Sequence, residues 1–279
     1  MRTKAVVGTA LLLLVALAVA GSAAGRPQAS TIRVSAVMIA AQEVPAATGD
    51  VAAARGTFSA TVTRSGTNDV MNWQLTFTGL TGPAGAAHVH LGARGVAGGV
   101  VVPLCGPCQS PASGTANVDA TVLNALETGG AYTNVHTAAN PAGEIRGQIG
   151  VVANVRTALT ARQEVPKPKG RVNSARGTFT ATITRSGTTA RIVWQLGFSK
   201  LTGAAGAAHI HIGARGKAGP VAVPLCGPCR NGVRRSAALS PAVLAALEAG
   251  RAYVNIHTTR NPGGEIRGQI APVALRITG

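Results

Sequence analysis

The amino-acid sequence predicts an all-β protein made of two tandem antiparallel β-sandwich or barrel domains, each with one short helix. Three observations carry this reading. A shift of 121 positions lays the chain on itself without a slip: Gln42-Glu-Val-Pro45 falls on Gln163-Glu-Val-Pro166, Ala54-Arg-Gly-Thr-Phe58 on Ala175-Arg-Gly-Thr-Phe179, and Trp73 on Trp194. That period is far longer than the roughly 20 to 50 residues of solenoid and propeller units and matches one independent domain. Within each copy, short alternating segments rich in Val, Thr, Ile and Phe are punctuated by Gly, Ser-Gly and Asn-Pro, a strand pattern. One segment per copy carries helix signals.

Taken in order, residues 1–24 read as a secretory signal peptide. Arg2 and Lys4 form a positive start, Ala5 to Ala20 an uncharged apolar stretch, and Ala20 and Ala24 end small-residue cleavage sequences. The mature chain is therefore expected to be secreted or otherwise extracytoplasmic, at the cell exterior or cell wall. No Cys precedes Cys105, so there is no lipobox. No later apolar run approaches the roughly 18 to 20 residues that span a bilayer.

The first domain is placed at 30–150. Residues 56–64, the Ser65-Gly-Thr turn and residues 73–77 read as an antiparallel pair with Phe58, Ala60 and Val62 on one face, and 177–185 with 194–198 repeat it. Asp119 to Gly129 is the helix candidate. Residues 132–137 and 143–149, separated by Asn140-Pro-Ala, form a further hairpin. Residues 149–156 then pass into the second domain, 151–279, without a Pro/Ser/Gly-rich spacer, which restricts relative motion. There the helix is marked by Ser240 as cap, Pro241 at the first helical position and Gly250 past the end. About seven to nine strands per domain are needed to bury two half-apolar layers.

Without Arg2 and Lys4 the chain keeps 24 basic and 9 acidic residues. Such a field points to an anionic cell-surface polymer or an extracellular protein as partner. Aromatic residues are 3% of the chain and no reading motif is present, so nucleic acid is not expected.

Four ordered motifs recur in both copies: Gln-Glu-Val-Pro, Ala-Ala-His-(Val/Ile)-His-(Leu/Ile)-Gly, Tyr-x-Asn-(Val/Ile)-His-Thr and Asn-Pro-x-Gly-Glu-Ile-Arg-Gly-Gln-Ile. Together they resemble the CHRD domain, the module named after its occurrence in chordin. The resemblance covers nearly the whole mature chain and implies a predominantly β, extracytoplasmic module without an assigned molecular activity. The cysteine-rich modules that accompany growth-factor binding in chordin are absent from this sequence, so that role is not carried over. Ala46 and Lys167 replace the second Pro of the usual Glu-Val-Pro-Pro, and a Cys-Gly-Pro-Cys insert is added.

All six histidines sit in two copies of one constellation, His88-x-His90 with His136 and His209-x-His211 with His257. Two histidines two apart in a strand project from one face with Cα atoms about 6.6 Å apart. With a third imidazole they form a donor set that Cu or Zn accepts. The His-x-His pair is similar to that of copper/zinc superoxide dismutase, which extends the metal reading to redox chemistry; the further ligands of that enzyme have no match here. The competing reading joins the three rings to Glu144, Arg146 and Gln148, and in the second copy to Glu265 and Arg267, in a hydrogen-bond network.

Cys105-Gly-Pro-Cys108 and Cys226-Gly-Pro-Cys229 share the thioredoxin tetrapeptide. The expected helix context is missing, so each pair reads as a loop-tying disulfide, with thiol exchange and metal ligation as alternatives. No nucleophile, base and acid set occurs, and no catalytic residue is assigned. The Gly-rich run 92–99 lacks the Lys-Ser/Thr of a phosphate loop and reads as a tight loop whose Arg94 faces an anion.

Overall fold

The computed structural model describes residues 31–64 and 69–275. The leader at 1–24 and the Ser65-Gly-Thr turn lie outside the described residues. The first repeat holds β1 (Thr31–Ile39), β2 (Arg55–Thr63), β3 (Asp69–Thr78), β4 (Ala84–Leu91), β5 (Val100–Cys105), β6 (Ala112–Val118), α1 (Ala120–Thr128), β7 (Ala131–Thr137) and β8 (Ile145–Gln148). The second holds β9 (Gly150–Thr160), β10 (Arg176–Ser186), β11 (Thr189–Ser199), β12 (Ala205–Ile212), β13 (Val221–Cys226), β14 (Val233–Leu239), α2 (Pro241–Glu248), β15 (Ala252–Thr258) and β16 (Ile266–Ile270).

Period-two burial makes the strands. β1 buries Ile32, Val34, Ala36 and Met38 while Arg33, Val37 and Ile39 face outward. β2 opposes it with Phe58, Ala60 and Val62, and β3 adds Met71, Trp73 and Leu75. Val89 and Ile145 close the same core from β4 and β8, both fully buried. Each such side chain removed from water contributes about 1.5–3 kcal/mol, which opposes the entropy of ordering its strand.

Strand order in the first repeat is β6-β3-β2-β1-β8-β7-β4-β5, all antiparallel. Sequential strands β3 and β4 lie in different layers, as do β5 and β6 and again β6 and β7, so the chain crosses the sandwich three times in Greek-key fashion. α1 fills the last crossing. Asp119 caps it by accepting from the Val122 amide at 2.8 Å, and Gly129 ends it at φ 73°; Ser240 and Pro241 start α2 in the same way.

The repeats share a strand. β8 runs through Ile149 into β9, and the beginning of β9 still pairs with β1 at Val34↔Val151 and Ser35↔Gly150. From Val151 onward β9 pairs with β10, so the 16 strands form one hydrogen-bonded sheet. Gly150 sits where the two repeats meet, and a Cβ there would lie 2.6 Å from the Arg185 carbonyl oxygen. The Ser186 hydroxyl donates to the Ile149 carbonyl at 3.2 Å across the same junction. Gly150→Val should therefore cost at least about 2 kcal/mol in urea unfolding, by forcing backbone apart. Ala271→Val, at the exposed twin position, should stay within about 0.5 kcal/mol.

Candidate functional site

The outer face of β4, β7 and β8 is polar yet buried. Cross-strand register lines up His90 with Tyr132 and Gln148, and His88 with Asn134 and Arg146. His136 is the diagonal neighbour of His88, within reach of an imidazole. β5 bulges opposite His88 and again opposite His90. The loop 92–99 and the segment after β1 cover this face. Polar atoms buried on this face call for hydrogen-bond or metal partners.

His88 Nδ1 lies 3.1 Å from His136 Nε2, and the twin pair His209 and His257 repeats that distance. This is the separation that two ligands about 2.1 Å from one ion adopt near a right angle. One ligand atom from each of His88, His90 and His136 lies within 4.8 Å of the others, and the same holds for His209, His211 and His257. Tautomers follow from the partners. His90 Nδ1 lies 2.9 Å from the Gly98 carbonyl and His136 Nδ1 lies 3.0 Å from the Pro141 carbonyl. A carbonyl only accepts, so both Nδ1 atoms carry the proton and both Nε2 atoms keep a lone pair. His88 Nδ1 accordingly donates to His136 Nε2. His211 and His257 repeat the pattern on the Gly219 and Pro262 carbonyls.

His90 and His211 are each 7% exposed, and the Nε2 of each is buried without a hydrogen-bond partner. Burial, followed by the neighbouring imidazoles, pushes the pKa of His88 down, and pushes that of His209 down to about 4. Burial also lowers His136 and His211. At neutral pH these four rings are uncharged, the state in which imidazole binds metal.

Arg146 is 1% exposed. Its guanidinium lies 3.5 Å over the Tyr132 ring and donates to the Ala93 and Val96 carbonyls at 2.9 Å. Tyr132 in turn stacks on His90 at 4.8 Å, and its hydroxyl accepts from the Gly98 amide. Gln148 anchors the Gly92, Gly129 and Ala131 carbonyls, each at 2.8 Å. The loop 92–98 is thus held by its carbonyls, while Arg94 bonds the Gln42 side chain at 3.1 Å.

Glu144 serves another network. Its carboxylate accepts from the Thr81 amide at 2.7 Å, the Thr137 hydroxyl at 2.6 Å and the Asn140 amide at 3.3 Å. Burial alone would raise its pKa, but these donors outweigh it and hold the carboxyl below the usual range. Glu265 has the same partners in Thr202, Thr258 and Asn261. The hydrogen bonds of His88, His90 and His136 run to one another and to backbone carbonyls, so the network expected between those rings, Glu144, Arg146 and Gln148 does not form as one unit. Arg146 and Arg267 reach the rings only through the stacked tyrosines.

Both cysteine pairs are disulfides, Cys105–Cys108 and Cys226–Cys229. Cys108 N donates to the Ala84 carbonyl at 2.9 Å, which pins the bridged loop to β4. The next element is strand β6, so neither sulfur sits at the helix N-terminus that activates a thiol.

Tyr132, Asn134 and Glu43, with their twins, belong to the repeated motifs but carry no site role on sequence grounds. The first two alternate with His136 in Tyr-x-Asn-x-His, a period-two signal that places them on its face. Glu43 is a loop residue whose burial no local pattern encodes. It packs against Gly143, where a Cβ would fall 2.4 Å from its Oε1, and against Asn134.

The architecture and these clusters define a class: a tandem all-β module with a histidine triad on the same three strands of each repeat. The CHRD domain family matches residues 34–149 and again residues 155–270, and the chain belongs to that family. Searches of curated proteins and of solved structures return no match.

Burial raises Glu43 and Glu164 to about 7 from an ordinary 4.5. A carboxyl with a raised folded pKa adds stability below about 4.5, and loses that contribution as pH rises through 7. His209 acts oppositely, losing its contribution as pH falls from 6.5 through about 4. In EDTA, the melting temperature of Glu43→Gln/Glu164→Gln should therefore fall less than that of the parent between pH 5 and pH 8. Equal slopes would show that neither carboxyl takes up a proton on folding.

Proposed function

We propose that this CHRD protein is a secreted, extracytoplasmic binding module that holds one Cu or Zn ion in each repeat. His88 Nδ1, His90 Nε2 and His136 Nε2 form the first donor set; His209, His211 and His257 form the second. The observation that carries the reading is the buried Nε2 of His90, which has no hydrogen-bond partner while facing two further imidazoles; His211 repeats the placement, with Asn255 beside it. A metal bond satisfies such an atom, as burial demands. The Gly98 and Pro141 carbonyls act as the outer partners that fix ring orientation and tautomer in metal sites.

His88 has to move its proton from Nδ1 to Nε2 as the ion enters. Three nitrogens leave the fourth position of a tetrahedral ion open. His88 and His136 are only partly buried, which gives a small ligand access to that position. Export is supported by the leader-like N-terminal composition and by disulfides, which persist in oxidising compartments. Among the described residues no helix is long and apolar enough to cross a membrane.

Metal analysis of tag-free protein offered Cu or Zn should find about two equivalents. His88→Ala or His209→Ala should each remove one, and the double variant should leave less than about 0.1 equivalent. Less than about 0.1 equivalent in the parent ends the metal reading and leaves an exported binding scaffold.

A further inference from the structure

The duplication has diverged in one property, charge. Residues 30–150 contain five basic and six acidic side chains, whereas residues 151–279 contain eighteen basic and three acidic. Of those three acids, Glu164 and Glu265 are buried and Glu248 pairs with Arg185 at 3.1 Å. The neutral repeat has the same strands and the same polar layer, so the fold does not need the added cations.

Part of the excess is organised on the outer face of β9, β10, β11 and β14, the layer opposite the histidines. Register places Arg156, Thr180, Gln195 and Arg234 in one row across four strands. Arg191 stands further along the same face, beside Thr184, and its guanidinium donates to the Ser236 hydroxyl. Arg156, Arg191 and Arg234 are all exposed. None of the four strands contains an acidic residue. The twin row in the first repeat reads Ser35, Ser59, Gln74 and Ser113, with Val70 in place of Arg191.

We propose that this face of the second repeat docks a linear acidic polysaccharide. Planar guanidiniums match carboxylates in two-point fashion. The groove between them is lined by Thr180, Thr182 and Gln195, whose hydroxyls and amide suit the hydroxyls of sugar units. Val193 and the half-buried Val152 are the large apolar side chains on the face and no aromatic ring projects from it, so it offers neither a base-stacking platform nor a wedge for a bilayer. Charge complementarity selects the anion, and the hydroxyl-lined groove selects its chemistry.

The first repeat supplies variants that its own fold already accommodates: Arg156→Ser, Arg191→Val and Arg234→Ser. The full chain should bind size-defined polygalacturonate, followed by fluorescence anisotropy, and the triple variant should bind it about tenfold or more weakly, the product of three exposed ion pairs. Its affinity should also fall less steeply with added salt. The reverse exchange, Ser35→Arg with Val70→Arg and Ser113→Arg, should create a second site. Unchanged affinity in the triple variant overturns the proposal, as does tighter binding of duplex DNA or phosphatidylglycerol vesicles than of polygalacturonate at equal anion concentration. None of these residues lies near a histidine, so the outcome is separate from metal binding.

Discussion

A guanidinium enclosed by carbonyls and a tyrosine ring is the interaction on which each repeat depends. Arg146 takes the Ala93 and Val96 carbonyls and lies on Tyr132; Arg267 takes the Ala214 and Lys217 carbonyls and lies on Tyr253. Breaking either would leave a cation buried without compensation, a penalty of about 3–5 kcal/mol. The arginine therefore dictates where the loop 92–98 runs. That loop presents the Gly98 carbonyl to His90, and the carbonyl decides which nitrogen of the ring stays free. Packing, tautomer and donor geometry are links of one chain.

Much of this was legible in the residues themselves. Period-two burial, the Asp119 and Ser240 caps and the pairing of the 132–137 and 143–149 segments follow from local chemistry, and each recurs at the same offset. The triad was legible as well, because His-x-His in a strand and a histidine in a second motif leave few ways to be apart. What escaped was set by distant backbone. Glu144 faces Thr81, which precedes it by 63 positions, and that hydroxyl and amide draw the carboxylate away from the rings. Glu43 is buried because Gly143, without a Cβ, leaves space for its carboxyl. Alternation says which face a side chain takes, but not which loop folds over that face.

Two copies of one sequence also act as an internal experiment. Where the physics is demanding the twins agree to within a few tenths of an ångström: the His88–His136 and His209–His257 contacts are both 3.1 Å, and the ring stackings on Tyr132 and Tyr253 are 4.8 and 4.9 Å. Solvent-facing positions such as Ser113 and Arg234 share a backbone register and differ in charge. Residues that agree report the constraints of the fold, and residues that differ report what each copy presents to its surroundings.

The shared strand has a consequence at its far counterpart. Val151, which bridges β1 and β10, has Pro272 as its twin, packed against Gly250. Proline carries no amide hydrogen, and among the described residues no strand follows Ile270, so the second repeat does not run on into a further ladder as Ile149 and Gly150 do. Duplication therefore welds the repeats at one internal seam, and the chain leaves the sheet after β16.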